Sequence, residues 1–454
     1  MPNKNNEGSP EKAPRTILPA TTPATTTTTT TTTRRKFLES SAVVAGVAAL
    51  PVRASAQVAG GSTLRVALVG CGGRGSGAAS QTLNNEGVKL VAMCDAFRDR
   101  LDSSLANLEK SHKEKIEVPE EHKFVGFDGY KKALEICDVI ILATPPGFRP
   151  MMFEAAVQAG KHIFMEKPVG VDAPGIRKVL NAAREADQKG LKVVVGLQRH
   201  YETSYRETLS RYLDGMAGDF VAAQAYWNGA GVWVRRRTPE QSEMEYQMRN
   251  WYYFNWLCGD HITEQHVHNL DVINWFKGEH PVSAQGMGGR QVRTGKEFGE
   301  IFDHHYVEFT YADGTKLNSQ CRHIRDCWSN VSETLFCTNG TITPGKIVDR
   351  SGKVLWQHRG QGDPNPYQVE HDHLYECIRN DKPLNNAYYG ATSSFTSILG
   401  RYATYSGKEI KWDDALKADN SLMPETLAWD APPRVLPDEN GFYPIAVPGQ
   451  TEVL

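Results

Sequence analysis

Residues 64 to 75 read LRVALVGCGGRG, a short apolar run ending in a glycine-rich turn, and no other stretch narrows the possible folds as far. An apolar run of this length suits a central parallel strand, buried on both faces. The turn that follows has the spacing G-x-G-x-x-G. Gly70 permits a tight bend, Gly72 lets the backbone approach a pyrophosphate, and Gly75 allows the next helix to pack closely on the strand. Gly73 and Arg74 complete the loop, where the helix N-terminus offers unpaired N–H groups and a positive dipole to phosphates. Glycine-rich turns occur in loops of every kind, so the context decides.

A second apolar strand, Val88 to Cys94, ends in Asp95, about twenty residues past the loop, where an acidic side chain accepts from adenosine ribose hydroxyls. A carboxylate there repels a 2′-phosphate and favours NAD over NADP, with Arg98 near enough to soften the preference. The plainer reading of Asp95 is a helix cap. Val139 to Ala143 forms the next strand and runs into Thr144 and Pro145. The strand KHIFM then leads into Glu166-Lys167-Pro168. Strand ends of this kind face the crevice where open α/β sheets bind ligands, which places Thr144, Pro145, Glu166 and Lys167 beside the cofactor. The alternation closes with Val193 to Gly196. It predicts a doubly wound parallel sheet in a dinucleotide-binding domain over residues 57–198.

From Arg199 the alternation stops. Period-two segments separated by D-G and N-G turns predict an antiparallel sheet in a second domain over residues 199–412. An aromatic and basic insertion holds Trp233, Tyr252, Tyr253, Trp256 and Arg235 to Arg237. It suits the wall of a sugar pocket, because aromatic faces pack on sugar C–H faces, or equally a packed helix face or subunit interface. Arg199, His200 and Tyr201, just past the last parallel strand, are expected to face the same pocket. On one continuous helix His261, Glu264 and His268 would share a face. That clustering admits acid–base work by His268, tuned by Glu264 or Lys167, or a metal site built from the three with His266 opposite. Satisfied structural histidines are the plain alternative. Residues 413–454 are Pro-rich and read as an extended tail over a neighbouring surface or subunit.

The segments GCGGRG, MCDAF, ATPP, EKP, VGLQRHY and HVHNLDVINW resemble, in order and spacing, the glucose–fructose oxidoreductase / inositol dehydrogenase (Gfo/Idh/MocA) family. The resemblance runs from about Leu64 to Lys411. It implies a Rossmann domain followed by an α+β domain with an open, mainly antiparallel sheet, and an NAD cofactor. It also implies that Lys167 reaches both cofactor and substrate hydroxyl, and that His268 takes the carbinol proton as hydride leaves carbon. Glu264 stands where the family usually has Asp, one methylene shorter. His261 and His266 are then expected on the substrate side, and no metal is required. The implied activity is NAD(H)-dependent oxidation or reduction at a ring hydroxyl of a sugar, glycoside or cyclitol. A glycosidase working by transient oxidation, elimination, hydration and re-reduction is the alternative, and a non-catalytic sugar-binding protein the third. Family members are commonly dimers or tetramers, so a homo-oligomer is expected.

Composition excludes some partners. A formal net charge of -2 over 454 residues offers no general attraction to nucleic acid or anionic membrane, so a small, mostly uncharged carbohydrate fits better. The first 33 residues, with an unbroken threonine run, lack the apolar surface to fold. Arg34-Arg35-Lys36-Phe37-Leu38, a mildly apolar run from Ala42 and the Ala54-Ser55-Ala56 cleavage pattern together resemble a twin-arginine export signal over residues 1–56. The expected product is exported to the periplasm, folded around its cofactor and without a membrane anchor.

Overall fold

The computed structural model describes residues 62–454; the leader and export signal expected over residues 1–56 lie outside them. Six strands, β1 (Leu64–Val69), β2 (Val88–Asp95), β3 (Lys123–Val125), β4 (Val139–Leu142), β5 (His162–Met165) and β6 (Val193–Val195), form one sheet in the order β3-β2-β1-β4-β5-β6. All its pairings are parallel. β4 and β6 are buried at every residue, as expected of strands covered on both faces. The order reverses between β1 and β4, so a crevice opens beyond their carboxyl ends. The glycine loop and Thr144-Pro145 follow those two strands directly.

The second sheet has nine strands: β7 (Phe220–Gly229), β8 (Ser283–Gly289), β9 (His304–Thr310), β10 (Lys316–His323), β11 (Asn330–Cys337), β12 (Gly340–Thr343), β13 (Lys346–Asp349), β14 (Val354–Gln357) and β15 (Ile410–Lys411). Their order is β14-β13-β12-β11-β7-β10-β9-β8-β15, antiparallel except where β7 runs alongside β10. Burial alternates residue by residue along β9 and β10, so one face packs inward and the other is left open. β13, β14 and β15 escape a reading by alternation because they are only two to four residues long and largely exposed.

The helix Ala387–Ser406 joins the two sheets. It is buried along nearly its whole length and packs on helix Ala173–Gln188 on one side and on β8 and β9 on the other. Two glycines permit this double approach. A Cβ on Gly390 would stand 3.0 Å from the Val195 side chain, and one on Gly400 2.9 Å from the Phe309 ring.

The aromatic insertion folds into short helices, among them Glu243–Arg249 and Asn255–Cys258, and docks on the first domain. Trp256 is almost fully buried, donates from Nε1 to Gln247 at 2.7 Å and meets the Phe148 ring edge-on at 5.8 Å. A Cβ at Gly147 would lie 2.0 Å from the Trp256 carbonyl oxygen, so only glycine allows this approach. The tail runs over its own chain. Leu422 N–H donates to Asp172, Trp429 packs on Phe97 and Phe127, and Tyr443 packs on Phe254. Trp256→Ala is expected to lower unfolding free energy by about 3–5 kcal/mol, measured by urea denaturation, because it empties the joint between insertion and parallel sheet. A loss below about 1 kcal/mol would contradict that placement.

Candidate functional site

The glycine loop is built for close approach. Gly70 has φ +94°, and a Cβ there would lie 2.5 Å from the Ala143 carbonyl carbon; at Gly75 it would lie 1.9 Å from the Gly70 oxygen. Gly72 and Gly73 are different, with nothing within 4 Å of where a Cβ would project. That open space belongs to a cleft of about 420 Å³ bounded by Gly70, Gly72, Gly73, Arg74, Gly75, Asp95, Thr144 and Pro145. The cleft fits an NAD pyrophosphate and adenosine: a bare backbone loop at a helix start, with a carboxylate at the end of β2.

Asp95 is held in place rather than free. Its Oδ2 accepts from Cys71 N–H at 2.7 Å and its Oδ1 from Phe97 N–H at 2.9 Å. Burial raises its pKa, opposed by these two backbone donors and by Arg100. Arg98 turns away to Asp102 and Glu120, so the expected softening of NAD preference by Arg98 is corrected; Arg100 lines the cleft instead. Glu166 is almost fully buried and pairs with Arg74 at 2.6 Å, while the Arg74 guanidinium lies 4.7 Å from the Tyr367 ring centre.

Trp233 and Arg235 also line this cleft, together with Trp251 and Arg249. The expectation that Trp233 walls a sugar pocket is therefore corrected: the insertion places it against the dinucleotide cleft. Arg249 reinforces that closure, with its guanidinium 3.9 Å from the Phe97 ring centre and hydrogen bonds to both Asp99 oxygens. The tail's Trp429 backs Phe97 from the other side.

Beyond the cleft, Lys167 and Pro168 leave β5 through a cis peptide bond. Lys167 Nζ donates to the Glu264 backbone oxygen at 2.5 Å and lies 3.2 Å from Glu264 Oε1, linking residues 97 positions apart in sequence. Arg149, which sequence reasoning missed, fixes this turn. Its buried guanidinium donates to the backbone oxygens of both Thr144 and Pro168, and burial lowers its pKa to about 10. An arginine at the start of a helix carries no sequence signal for such a role.

His268 stacks on Trp227 with ring centres 6.0 Å apart, and its Nδ1 is buried without a partner. Burial, and then the charges of Lys167, Arg199 and Arg74, hold its pKa well below 6.5, so the ring is neutral. Lys167 thus pairs with Glu264, and its charge also acts on the neutral His268 imidazole. Neighbours hold this arrangement: Asn269 donates to Glu333, whose carboxylate also takes Arg199 and Tyr205.

The expected single helix face is corrected. The segment forms two helices, His261–Glu264 and Val267–Lys277, broken at Gln265-His266, so the three side chains do not lie along one continuous helix face. His261 turns inward against His305 and His323, fully buried. His266 is also fully buried, with Nε2 2.7 Å from Ser319 Oγ, and burial lowers its pKa to about 3. Tyr253 is buried too, its hydroxyl spent on the Val232 and Trp233 carbonyls. None of these three can touch a substrate. Arg199 is engaged by Glu333, His200 lies 2.9 Å from Asp271 between the Trp275 and Tyr389 rings, and Tyr201 donates to Asn386. All three brace the site through internal partners.

Residues 64–196 match the model of the Gfo/Idh/MocA oxidoreductase family, NAD-binding Rossmann fold, and form an NAD-binding Rossmann domain. An inositol 2-dehydrogenase of Pseudomonas fluorescens is 26% identical over 259 residues, 56% of this chain and 66% of that protein. The alignment thus spans just under two thirds of that relative. A glycosyl hydrolase family 109 protein of a Shewanella species is 23% identical over 360 residues, 72% of this chain and 73% of that protein. The structure of scyllo-inositol dehydrogenase from Lactobacillus casei with bound NAD(H) and scyllo-inositol shares the fold. Its TM-score is 0.58 at 18% identity, covering 78% of this chain and all of that one.

The buried neutral state of His268 has a pH consequence. Unfolded, the ring binds a proton below about 6.5; folded, it does not until far lower pH, so stability is lost as pH falls below 6.5. Relative to His268→Gln, the wild-type protein should lose up to about 1.4 kcal/mol more per pH unit between pH 6.5 and 5. Parallel stability curves for the two proteins, from urea unfolding at several pH values, would contradict a buried neutral imidazole.

Proposed function

We propose that this chain is an NAD(H)-dependent oxidoreductase acting on a ring hydroxyl of a sugar, glycoside or cyclitol, with a cofactor that it retains between turnovers. The observation that carries the reading is the junction of Lys167, Glu264 and His268 beside an NAD-binding domain. Gly72, Gly73, Asp95 and the Thr144-Pro145 turn would hold the dinucleotide. Bound NAD supplies the two-electron acceptor for oxidation of a carbinol.

The protein's own groups then manage the proton. Lys167 presents N–H donors to the substrate oxygen, and Glu264 fixes the direction in which that ammonium points. His268, neutral at working pH, has a lone pair available to take the carbinol proton. Arg149 sets the Lys167-Pro168 turn by holding its backbone. The side chains of Trp233, Trp251, Arg235 and Arg249 around the cleft support retention, since a ligand under such a cover leaves slowly. A retained cofactor suits a chain loaded before export, and homo-oligomer formation belongs to the same proposal.

The matching family 109 relative favours a second reading, redox-neutral glycoside cleavage, which also needs a cofactor that never leaves. The test is turnover of myo-inositol and of chromogenic glycosides in deuterated water. Ketone formation with reduced cofactor supports the dehydrogenase; aglycone release with deuterium in the sugar and no net reduction supports the glycosidase. Lys167→Met should lower kcat/KM by about 10²–10⁴ in either case. An unchanged rate in that variant would remove Lys167 from the chemistry.

A further inference from the structure

Behind the helix that carries Glu264 lies a second, sealed cluster that the proposed oxidoreductase chemistry does not use. Asp260, His261 and His305 each offer one ligand atom, and these atoms lie within 4.8 Å of one another. All three residues are buried. They come from the turn before helix His261–Glu264 and from strand β9.

His305 Nδ1 lies 2.9 Å from Thr404 Oγ1, whose hydroxyl also reaches the Gly400 and Arg401 carbonyls at 3.2 and 3.1 Å. The other ring nitrogen, Nε2, lies 3.3 Å from Asp260 Oδ2 and, though buried, makes no hydrogen bond of good geometry. A cation between the imidazole nitrogen and the carboxylate would satisfy both.

A proton on His305 would relieve that one contact. It would leave His261 unexplained, because both nitrogens of this fully buried ring have no partner. A single ion bonded to one nitrogen of His261, to His305 Nε2 and to Asp260 relieves both faults together. The outer contacts are those of a metal ligand set. Thr404 orients His305, while Tyr405 O–H and Phe302 N–H donate to Asp260 Oδ2 at 2.6 and 3.0 Å. Asp260 also adopts φ +70°, a strained conformation for a non-glycine residue, which carries its carboxylate into the cluster.

We propose that Asp260, His261 and His305 bind one divalent transition-metal ion of the zinc type, tying the turn that starts the Glu264 helix to strand β9. Two imidazoles and a carboxylate are a borderline N/O set suited to zinc, cobalt or iron(II) rather than to calcium or magnesium. Ligand atoms around a tetrahedral ion stand about 3.3–3.5 Å apart, so the widest pair closes by roughly an ångström on binding. The cluster is sealed from solvent, so the ion serves position and stability and touches no substrate.

The direct test uses the untagged full-length chain, dialysed without chelator and measured by elemental mass spectrometry. The expected result is about one zinc-type ion per chain. After chelation, Co²⁺ added alone should give visible d–d absorption at the same stoichiometry. His261→Asn and His305→Gln, checked for folding by circular dichroism, should lose the ion, whereas Lys167→Met should keep it. An anomalous difference peak among the three residues in wild-type crystals would support the site without any variant. Fewer than about one ion per ten chains, before and after incubation with Zn²⁺ or Co²⁺, would overturn the proposal. So would full occupancy in folded His261→Asn. Neither result bears on NAD binding, so this site and the oxidoreductase reading fail separately.

Discussion

The contact between Lys167 Nζ and Glu264 is the hinge of the whole arrangement. It joins the end of a parallel strand to a helix of the second domain. Both side chains are mostly withdrawn from water, so neither charge is tolerated there without the other. The pair requires the parallel sheet and the insertion to meet at one angle. That angle is set elsewhere, by the glycines of helix Ala387–Ser406, by Gly147 under Trp256 and by Arg149 gripping two backbone oxygens. Packing thus positions the pair, and the Lys167 charge acts on the buried His268 ring.

The same packing closes the dinucleotide cleft. In the parallel sheet alone, the glycine loop would be an open ledge. Here the insertion brings Trp233, Trp251 and two arginines to its rim, and the tail stacks Trp429 on the Phe97 and Phe127 rings behind it. Binding and retention are physically separate properties in this fold. The loop and Asp95 form the cradle, while the insertion and tail build the rim and its backing, where the proposed retention would arise.

What could be read from the sequence follows from how local each signal is. The glycine loop and the Asp95 strand end are readable because one short stretch must do one job, whereas Lys167 and His268 stood out through the family resemblance. Their surroundings were legible only in part. His261 reads as a site residue by spacing and His266 through the resemblance, yet both are fully buried, and no local pattern announced the break at Gln265-His266. The partners that matter are distant: Ser319 for His266, His305 and His323 for His261, Glu333 for Arg199. Trp233 read equally as a sugar-pocket wall or a packed face, and it lines the cleft of the glycine loop and Asp95. The tail's role depends on rings more than three hundred residues earlier in the chain, which no periodicity encodes.

A nicotinamide dinucleotide held under a cover made of the chain's own insertion and tail should stay with the folded protein through purification. Acid release of nucleotide from protein purified without added cofactor, followed by mass spectrometry, tests it most directly. Close to one NAD(H) per chain is expected, surviving gel filtration in wild-type protein and depleted in Trp233→Ala/Trp251→Ala. Protein that emerges empty and shows no calorimetric affinity for NAD⁺ or NADH would contradict it.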